Sequence, residues 1–410
     1  MTISEEDSSL YWKKNLYVTW LGSFFTAASI SLVMPFISLY IEELGVSRGS
    51  LELMSGIAVS ISPLASGLIA PVWGRLADQK GRKVMLVRAS FVMTFTMAAL
   101  AFVPNVWWLL AMRLLNGLFS GYIPNSIALI ASQVPKEKSG YALGTLSTGA
   151  VAGSLIGPTL GGTLAQLFGM REVFLISSVF LLIVTILTVA LVKENFKPVS
   201  SEQLMSTKEV LDEIPNKSIL FALFLTSFLV PVAFQSVVPI MTLYIRELSG
   251  NSANLMFIAG LIVSAPGLSA IMSSSWLGRI GDKIGSHRLM IAGLIYSFAT
   301  VFPMAFATTP LQLGILRFLL GFGTGAILPS VNSLLTKITP SEGIGRIFSF
   351  NQAFNYFGQV AGPMLGSLVA YLGGYSQVFI ITSVTILINL LVVLISFKKY
   401  LKVKDITNAG

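Results

Sequence analysis

The sequence predicts an all-α integral membrane protein: twelve transmembrane helices arranged as two six-helix bundles related by pseudo-symmetry. Three observations carry that expectation: long uncharged apolar runs, a lopsided distribution of cations, and an internal repeat. Only 11% of the 410 residues are charged and 54% are hydrophobic, with mean hydropathy +0.79. An ordinary soluble domain carries about 25% charged residues, so this chain cannot clothe a water-facing surface. No charge interrupts Asn15–Ile41, Leu53–Gly74, Ser139–Met170, Val173–Val192, Ser218–Ile245 or Leu248–Gly278. Each run meets the ~20 residues that a bilayer-spanning helix needs.

On this reading the spans fall at 16–41, 52–74, 84–103, 106–131, 140–168, 173–192, 218–245, 253–277, 289–307, 311–335, 346–371 and 375–397. The longest uncharged run, Ile347–Phe397, is too long for one crossing and is expected to turn at Gly373-Gly374. The first span is too long for a signal-peptide core and reads as an uncleaved helix. The chain has no cysteine, which removes disulfides and thiol chemistry from consideration. No cofactor and no metal site is expected. The sequence has no paired-acid metal motif, and its single histidine, His287, reads as a solvated loop residue after the eighth span. A membrane enzyme therefore fits poorly.

The net charge of +9 does not imply nucleic acid, because the cations are sorted. Alternating the loops from a cytoplasmic N-terminus places Arg48, Arg171 and Arg246 outside and Arg113 and Arg317 within spans, leaving 22 of the 27 Lys/Arg inside. Such an excess sets the orientation of multi-span proteins and puts both termini in the cytoplasm.

The repeat comes next. Leu39-Tyr40-Ile41-Glu42-Glu43-Leu44 returns as Leu243-Tyr244-Ile245-Arg246-Glu247-Leu248, an offset of 204 residues. Pro35 and Pro239, Asp78 and Asp282, Arg113 and Arg317, and Gly117 and Gly321 share that offset, and Gly157-Pro158 returns as Gly362-Pro363 at 205. The expected domains are an N-terminal bundle over 1–195, a cytoplasmic linker over 196–217 with a short helix around Thr207–Ile214, and a C-terminal bundle over 218–410. Two parallel six-helix repeats are the design in which a midplane site is exposed by rocking one half against the other, so the repeat argues for transport.

Several motifs carry chemistry. The loop after span 2 reads Gly74-Arg75-Leu76-Ala77-Asp78-Gln79-Lys80-Gly81-Arg82-Lys83, and Gly278 to Gly285, with Asp282, repeats its spacing. Gly74 would let a helix end approach a neighbour, Gly81 permits a tight turn, and Asp78 accepts hydrogen bonds from a helix N-terminus or pairs with an arginine. The bland alternative is a basic loop that only enforces orientation. In span 4, Arg113 is followed by Asn116, Gly117 and Gly121. An arginine at depth costs roughly 2.5–3.5 kcal/mol on insertion scales, so it faces a cavity or partner, or else snorkels to the interface. Span 5 carries Gly149, Gly153, Gly157-Pro158 and Gly161-Gly162. Small residues every four positions let helices pack backbone to backbone, and Pro158 removes an internal hydrogen bond.

The loop matches G-x-L-x-D-x-x-G-R-K, and span 5 matches G-x-x-x-G-P-x-x-G-G. With these motifs the chain resembles the twelve-span drug:proton antiporters of the major facilitator superfamily from Trp12 to Phe397. Within them the likeness is to multidrug resistance proteins of the MdtG and PmrA type. Trp12-Lys13-Lys14-Asn15-Leu16, Ser31 to Phe36, Lys138 to Gly149 and Leu311 to Gly321 carry it. The resemblance implies the major facilitator fold, a bacterial-type plasma (inner) membrane location, and proton-driven export of amphipathic drugs such as fluoroquinolones and dyes. It also implies gating by Asp78 with Arg82, proton transfer involving Arg113, and the exporter character of the span-5 motif.

In that architecture spans 1, 4, 7 and 10 face a central cavity, with parts of 2, 5, 8 and 11 beside them. Candidates there are Phe24, Met34, Asn116, Asn125, Phe234, Gln235 and Asn332, with Asn351, Asn355 and Gln359 forming one polar stripe beside Tyr356. Apolar walls with a few amides suit varied amphipathic molecules; the same amides also glue helices together. No Asp or Glu lies deep in any span, so a proton carrier is not identified, and neutral, zwitterionic or anionic substrates are expected over permanent cations. The partners expected are small drug-like molecules, protons and the lipid bilayer, with one chain sufficing as a monomer. An exporter of a single sugar-like or peptide-like metabolite is the alternative.

Overall fold

The computed structural model describes residues 5–135, 138–195, 214, 216–250, 252–339 and 344–401. Most of the expected linker lies outside them, as does the helix expected at Thr207–Ile214, Ile214 apart. The helices are α1 (Glu5–Val33), α2 (Ile37–Glu43), α3 (Arg48–Lys80), α4 (Arg82–Leu100), α5 (Val106–Phe119), α6 (Tyr122–Gln133), α7 (Ser139–Phe168) and α8 (Met170–Leu191). They continue with α9 (Lys217–Ser236), α10 (Met241–Ser249), α11 (Leu255–Ile284), α12 (Ser286–Val301), α13 (Pro310–Ile338), α14 (Ile344–Gly373) and α15 (Tyr375–Leu401). Helix occupies all twelve expected spans. Among the described residues ten stretches are long and apolar enough to cross a bilayer unaided; α7 and α14 are not among them, because glycine, hydroxyl and amide residues dilute their apolar content.

The chain divides into two compact units. One holds Met1–Val46 and Ile61–Ser200, the other Ser47–Ser60 and Ser201–Gly410. In the first, α1 packs along α7 more extensively than any other pair. The reason is in the glycines. A Cβ at Gly153 would run into the carbonyl of Phe24, one at Gly157 into Ser31, and one at Gly161 into Leu32. In the second unit α9 lies along α14 in the same way, with Gly358 on Phe228, Gly362 on Val232 and Gly366 on Ser236. Phe24 and Phe228 are 204 residues apart, and Gly153 and Gly358 are 205 apart, so the repeat holds at the level of individual backbone contacts.

Other contacts repeat too. Pro35 and Pro239 each sit in a one-turn 3-10 helix, Met34–Phe36 and Val238–Ile240, that bends the first helix of its half. Tyr40 Oη donates to Leu100 O at 2.7 Å, and Tyr244 Oη donates to Met304 O at 3.0 Å. Asn105 caps α5 by accepting from Trp107 and Trp108, and Thr309 caps α13 by accepting from Gln312. Each capped N–H would otherwise have no intrahelical acceptor. Single glycines turn the chain between α3 and α4 and between α11 and α12, at Gly81 (φ +91°) and Gly285 (φ +92°), where an L side chain would be strained.

Two expectations need correction. Span 4 is not one helix, because it breaks between α5 and α6 at Ser120-Gly121, where Gly121 takes φ +119°. His287 is not a solvated loop residue. With one residue joining α11 to α12 there is no loop to hold it, and the ring is buried, stacked on Phe397 with centroids 6.2 Å apart.

Overpacking a tight core costs typically ~1–3 kcal/mol. Gly153→Val is therefore expected to lower the thermal unfolding midpoint in detergent by several degrees or to abolish monodisperse protein. Gly144→Ala, at a position on the same helix with nothing within 4 Å, should leave it unchanged or raise it.

Candidate functional site

The turn after α3 is built by two carboxylates. Asp78 Oδ1 takes Arg82 Nη2 at 2.5 Å, one helical turn away on the far side of Gly81. Both side chains are partly exposed, so the pair adds little stability by itself. Glu194, just beyond α8, does more. Its Oε1 accepts from the Arg82 N–H at 2.8 Å and its Oε2 from the Lys83 N–H at 2.7 Å, capping the N-terminus of α4. Gly74 departs from expectation. No atom lies within 4 Å of where its Cβ would sit, because α3 runs on unbroken to Lys80 and Gly74 is not at a helix end. Asp282 lies on α11, but its side chain is outside the described residues.

The break in span 4 has a local cause. Pro124 has no N–H to give the Ser120 carbonyl, and Gly121 turns the chain away from helix. Arg88 of α4 takes up the freed acceptors, with Nη2 at 2.9 Å from Ser120 O and 3.4 Å from Phe119 O. Its guanidinium lies 3.6 Å over the Trp73 ring. Trp73 in turn donates to Leu118 O at 2.7 Å, Ser62 to Arg113 O at 2.7 Å, and Ser66 to Gly117 O at 3.0 Å. One face of α3 thus threads the whole length of the break.

Among the sequence candidates in this unit, Arg113 is buried and its Nη2 reaches Met34 Sδ at 3.5 Å. Asn116 is a packing residue here: it is buried, with Nδ2 donating to Thr96 Oγ1 of α4 at 2.8 Å. Asn125 Nδ2 donates to Gly121 O at 2.7 Å, across the break. Phe24 is half-buried and stacks on Trp20 at 6.0 Å. Pro158 and Gly162 are buried on α7.

In the second unit Gln359 Nε2 donates to Asn355 Oδ1 at 2.6 Å, while Asn351 Oδ1 has no hydrogen-bond partner among the described residues. Phe354 between them stacks on Phe224 with centroids 5.2 Å apart. Phe234, Gln235 and Tyr356 are half-buried, and Asn332 is exposed.

The profile of the Major Facilitator Superfamily matches residues 19–258 and 223–408. The chain belongs to the Major Facilitator Superfamily. It is 58% identical over 395 residues to a multi-drug resistance efflux pump PmrA homolog of Lactococcus lactis, covering 96% of this chain and 98% of that one. It is 46% identical over 398 residues to multidrug resistance protein MdtG of Klebsiella pneumoniae, covering 97% of each. A solved bacterial homolog of the human lysosomal transporter Spinster superposes with a TM-score of 0.76 at 13% identity, over 97% of this chain and 98% of that one; that likeness speaks for the fold alone.

Membership of this superfamily makes the chain a multi-span membrane transporter and not an enzyme. Two groups escaped sequence reasoning. Glu194 follows the last span of its half, and an acid there is a plain signal for a helix cap on the neighbouring loop. Arg88 gave a signal as well, a cation about one turn inside the start of span 3, but its partners depend on a break that only Pro124 announces. Arg88→Ala leaves two carbonyls at the break without this donor, at about 1–3 kcal/mol for each buried orphan. The expected result is a lower unfolding midpoint than for Arg88→Lys, which keeps one donor, with the order read by thermal unfolding in detergent.

Proposed function

We propose that this transporter exports amphipathic, drug-like molecules such as fluoroquinolones and dyes across a bacterial-type inner membrane, exchanging them for protons. The observation that carries the reading is identity over nearly the full length to proteins named as multidrug efflux pumps. The glycine face of α7, seated on the α1 backbone, supports it, since the same pattern marks exporters in the resemblance drawn above. The sorting of the cations supports an orientation with both termini in the cytoplasm.

In this reading the repeats rock about a site near the midplane, one chain sufficing. The Asp78–Arg82 turn, braced by Glu194, serves the cytoplasmic gate with its counterpart at Asp282. Arg113 takes part in coupling. The walls come from half-buried aromatics and amides, Phe24, Phe234, Gln235, Asn351, Asn355, Tyr356 and Gln359, with Met34 beside Arg113. An interior with buried arginine and no deep carboxylate favours neutral, zwitterionic or anionic molecules over permanent cations.

The test is transport in liposomes under an imposed pH gradient. A fluorescent quinolone should accumulate, and a protonophore should abolish accumulation. Asp78→Asn should cut the flux by at least about tenfold, a loss of ~1.4 kcal/mol in the gating step, while the protein stays folded and inserted. A zwitterionic quinolone should outrun a quaternary ammonium dye; the reverse order would overturn the substrate preference. No movement of any drug by folded protein would favour a dedicated metabolite.

A further inference from the structure

A groove of about 400 Å³ opens between α11, α12 and α13 of the second unit. Its floor is the crossing of α12 and α13, where small residues bring the backbones together: a Cβ at Gly293 would stand 3.1 Å from Gly323 O. Trp276 and Leu277 of α11, Ala292 and Tyr296 of α12 and Phe322 of α13 form the walls. Trp276, Ala292 and Tyr296 are exposed, and α12 is long and apolar enough to cross a bilayer, so the groove opens to acyl chains. Tyr296 lies ten residues beyond the start of α12, about 15 Å at 1.5 Å per residue. That depth is half of a hydrocarbon core of ~30 Å. The groove therefore belongs to a single leaflet.

Its mouth is basic. Trp276, Arg279 and Lys283 fall at i, i+3 and i+7 on α11, and Arg288, Ala292 and Tyr296 at i, i+4 and i+8 on α12. Residues at those spacings share a helix face, so each apolar wall runs on into cations towards the turn at Gly285, where the two helices meet. Arg279 and Lys283 are exposed and Arg288 is half-buried. None of the three forms an ion pair among the described residues. From Trp276 to Arg288 the sequence sets one acid, Asp282, against these three cations. Lys337 at the end of α13 adds a fourth, and it acts on His287 together with Arg288.

The first unit uses the matching space differently. Positions 204 residues before Leu277 and Ala292 are Trp73 and Arg88, and there a guanidinium lies over the indole. A small residue at 292 leaves the volume to a guest. We propose that this groove binds one anionic phospholipid, with an acyl chain along Gly293 and Gly323 and the phosphate at Arg279, Lys283 and Arg288. Basic pockets between membrane helices on the cytoplasmic side hold acidic headgroups, and Trp and Tyr favour the headgroup level. The apolar walls give no hold to a free phosphate, and the unpaired cations favour a headgroup of net negative charge. The site goes beyond the export reading. It borrows only the orientation, which makes the leaflet at the ends of α11 and α12 the cytoplasmic one.

Bromine on an acyl chain quenches tryptophan on contact, and Trp276 stands in the wall. Full-length protein would be reconstituted in phosphatidylcholine liposomes carrying brominated phosphatidylglycerol or brominated phosphatidylcholine at the same low mole fraction. Both leaflets hold the probe, so orientation does not enter the result. The share of quenching that belongs to Trp276 is the difference between the parent and Trp276→Phe, which removes one of six tryptophans. The expected preference for phosphatidylglycerol is at least about fivefold, roughly what one Lys or Arg contributes at an anionic surface. Arg279→Gln, Lys283→Gln and Arg288→Gln together should bring the two lipids to parity. Ala292→Phe, which fills the groove and leaves the rim intact, should do the same; Ala292→Leu is the milder filling if phenylalanine lowers the unfolding midpoint. Equal quenching by both lipids in the parent would mean ordinary boundary lipid and overturn the site. A preference that survives filling of the groove would mean surface attraction alone and overturn it too. Relief of quenching by a quinolone, with no headgroup preference, would assign the groove to a drug and not a lipid. Drug flux plays no part in the readout, so failure of the export reading leaves this result standing.

Discussion

Backbone contact along the glycine faces of α7 and α14 is the constraint on which both units depend. Between helices in lipid there is little hydrophobic drive, since acyl chains are as apolar as leucine. Association rests on close packing and on polar bonds between helices. The approach of Gly161 to the Leu32 backbone, and of Gly366 to Ser236, fixes how α1 and α9 lie in their units. Polar side chains then lock the remaining helices to that pair. Asn15 donates to Gln133 Oε1 at 2.7 Å and to Lys193 O at 2.6 Å, and accepts from Lys193 N at 3.0 Å, tying the ends of α1, α6 and α8 together. Tyr122 Oη pairs with Thr188 Oγ1 at 2.9 Å, its ring resting where Gly22 leaves room.

The extent to which the sequence announced this structure follows from the range of each cause. The spans and the turn at Gly81 are dictated by residues close along the chain, and they were legible. The repeat was legible because duplication copies spacing, and the glycine contacts followed at the same offsets. What stayed hidden needed a partner far along the chain. Asn116 looked like a cavity amide until Thr96 was found beside it. His287 looked solvated because its cover, Phe397, lies 110 residues away. Glu52 looked like one more acid at a span end, since nothing near it in sequence points to Tyr375, whose Oη donates to its Oε1 at 3.1 Å.

The repeats also diverge, and the divergence is informative. Positions 204 residues beyond Trp73 and Arg88 are Leu277 and Ala292, and the second unit has no break to match Ser120-Gly121, since α13 runs unbroken from Pro310 to Ile338. Where the first unit fills the space with a guanidinium on an indole, the second leaves a groove of about 400 Å³ lined by Leu277, Ala292, Phe322 and Gly323 among others. A broken helix held by a cation is easier to bend than an intact one, because its carbonyl bonds pass through a side chain and not the backbone ladder. Even so, α13 is not perfectly regular, since Pro329 removes one bond from its backbone ladder.

The placement of acids bears on how a gradient could be used. A carboxylate buried beside the substrate couples proton and drug by direct competition for one site. This chain has none deep in any span. Its helix-bonding acids sit at the ends of spans, Asp78 and Glu194 at one turn and Glu52 at the start of α3. A ligand shifts a two-state equilibrium only by the difference in its affinity for the two states. A hydrogen bond made in one state and broken in the other carries such a difference. In the proposed antiport, coupling of that kind would make no demand on the shape of the drug, which suits a protein whose relatives are named for handling many drugs.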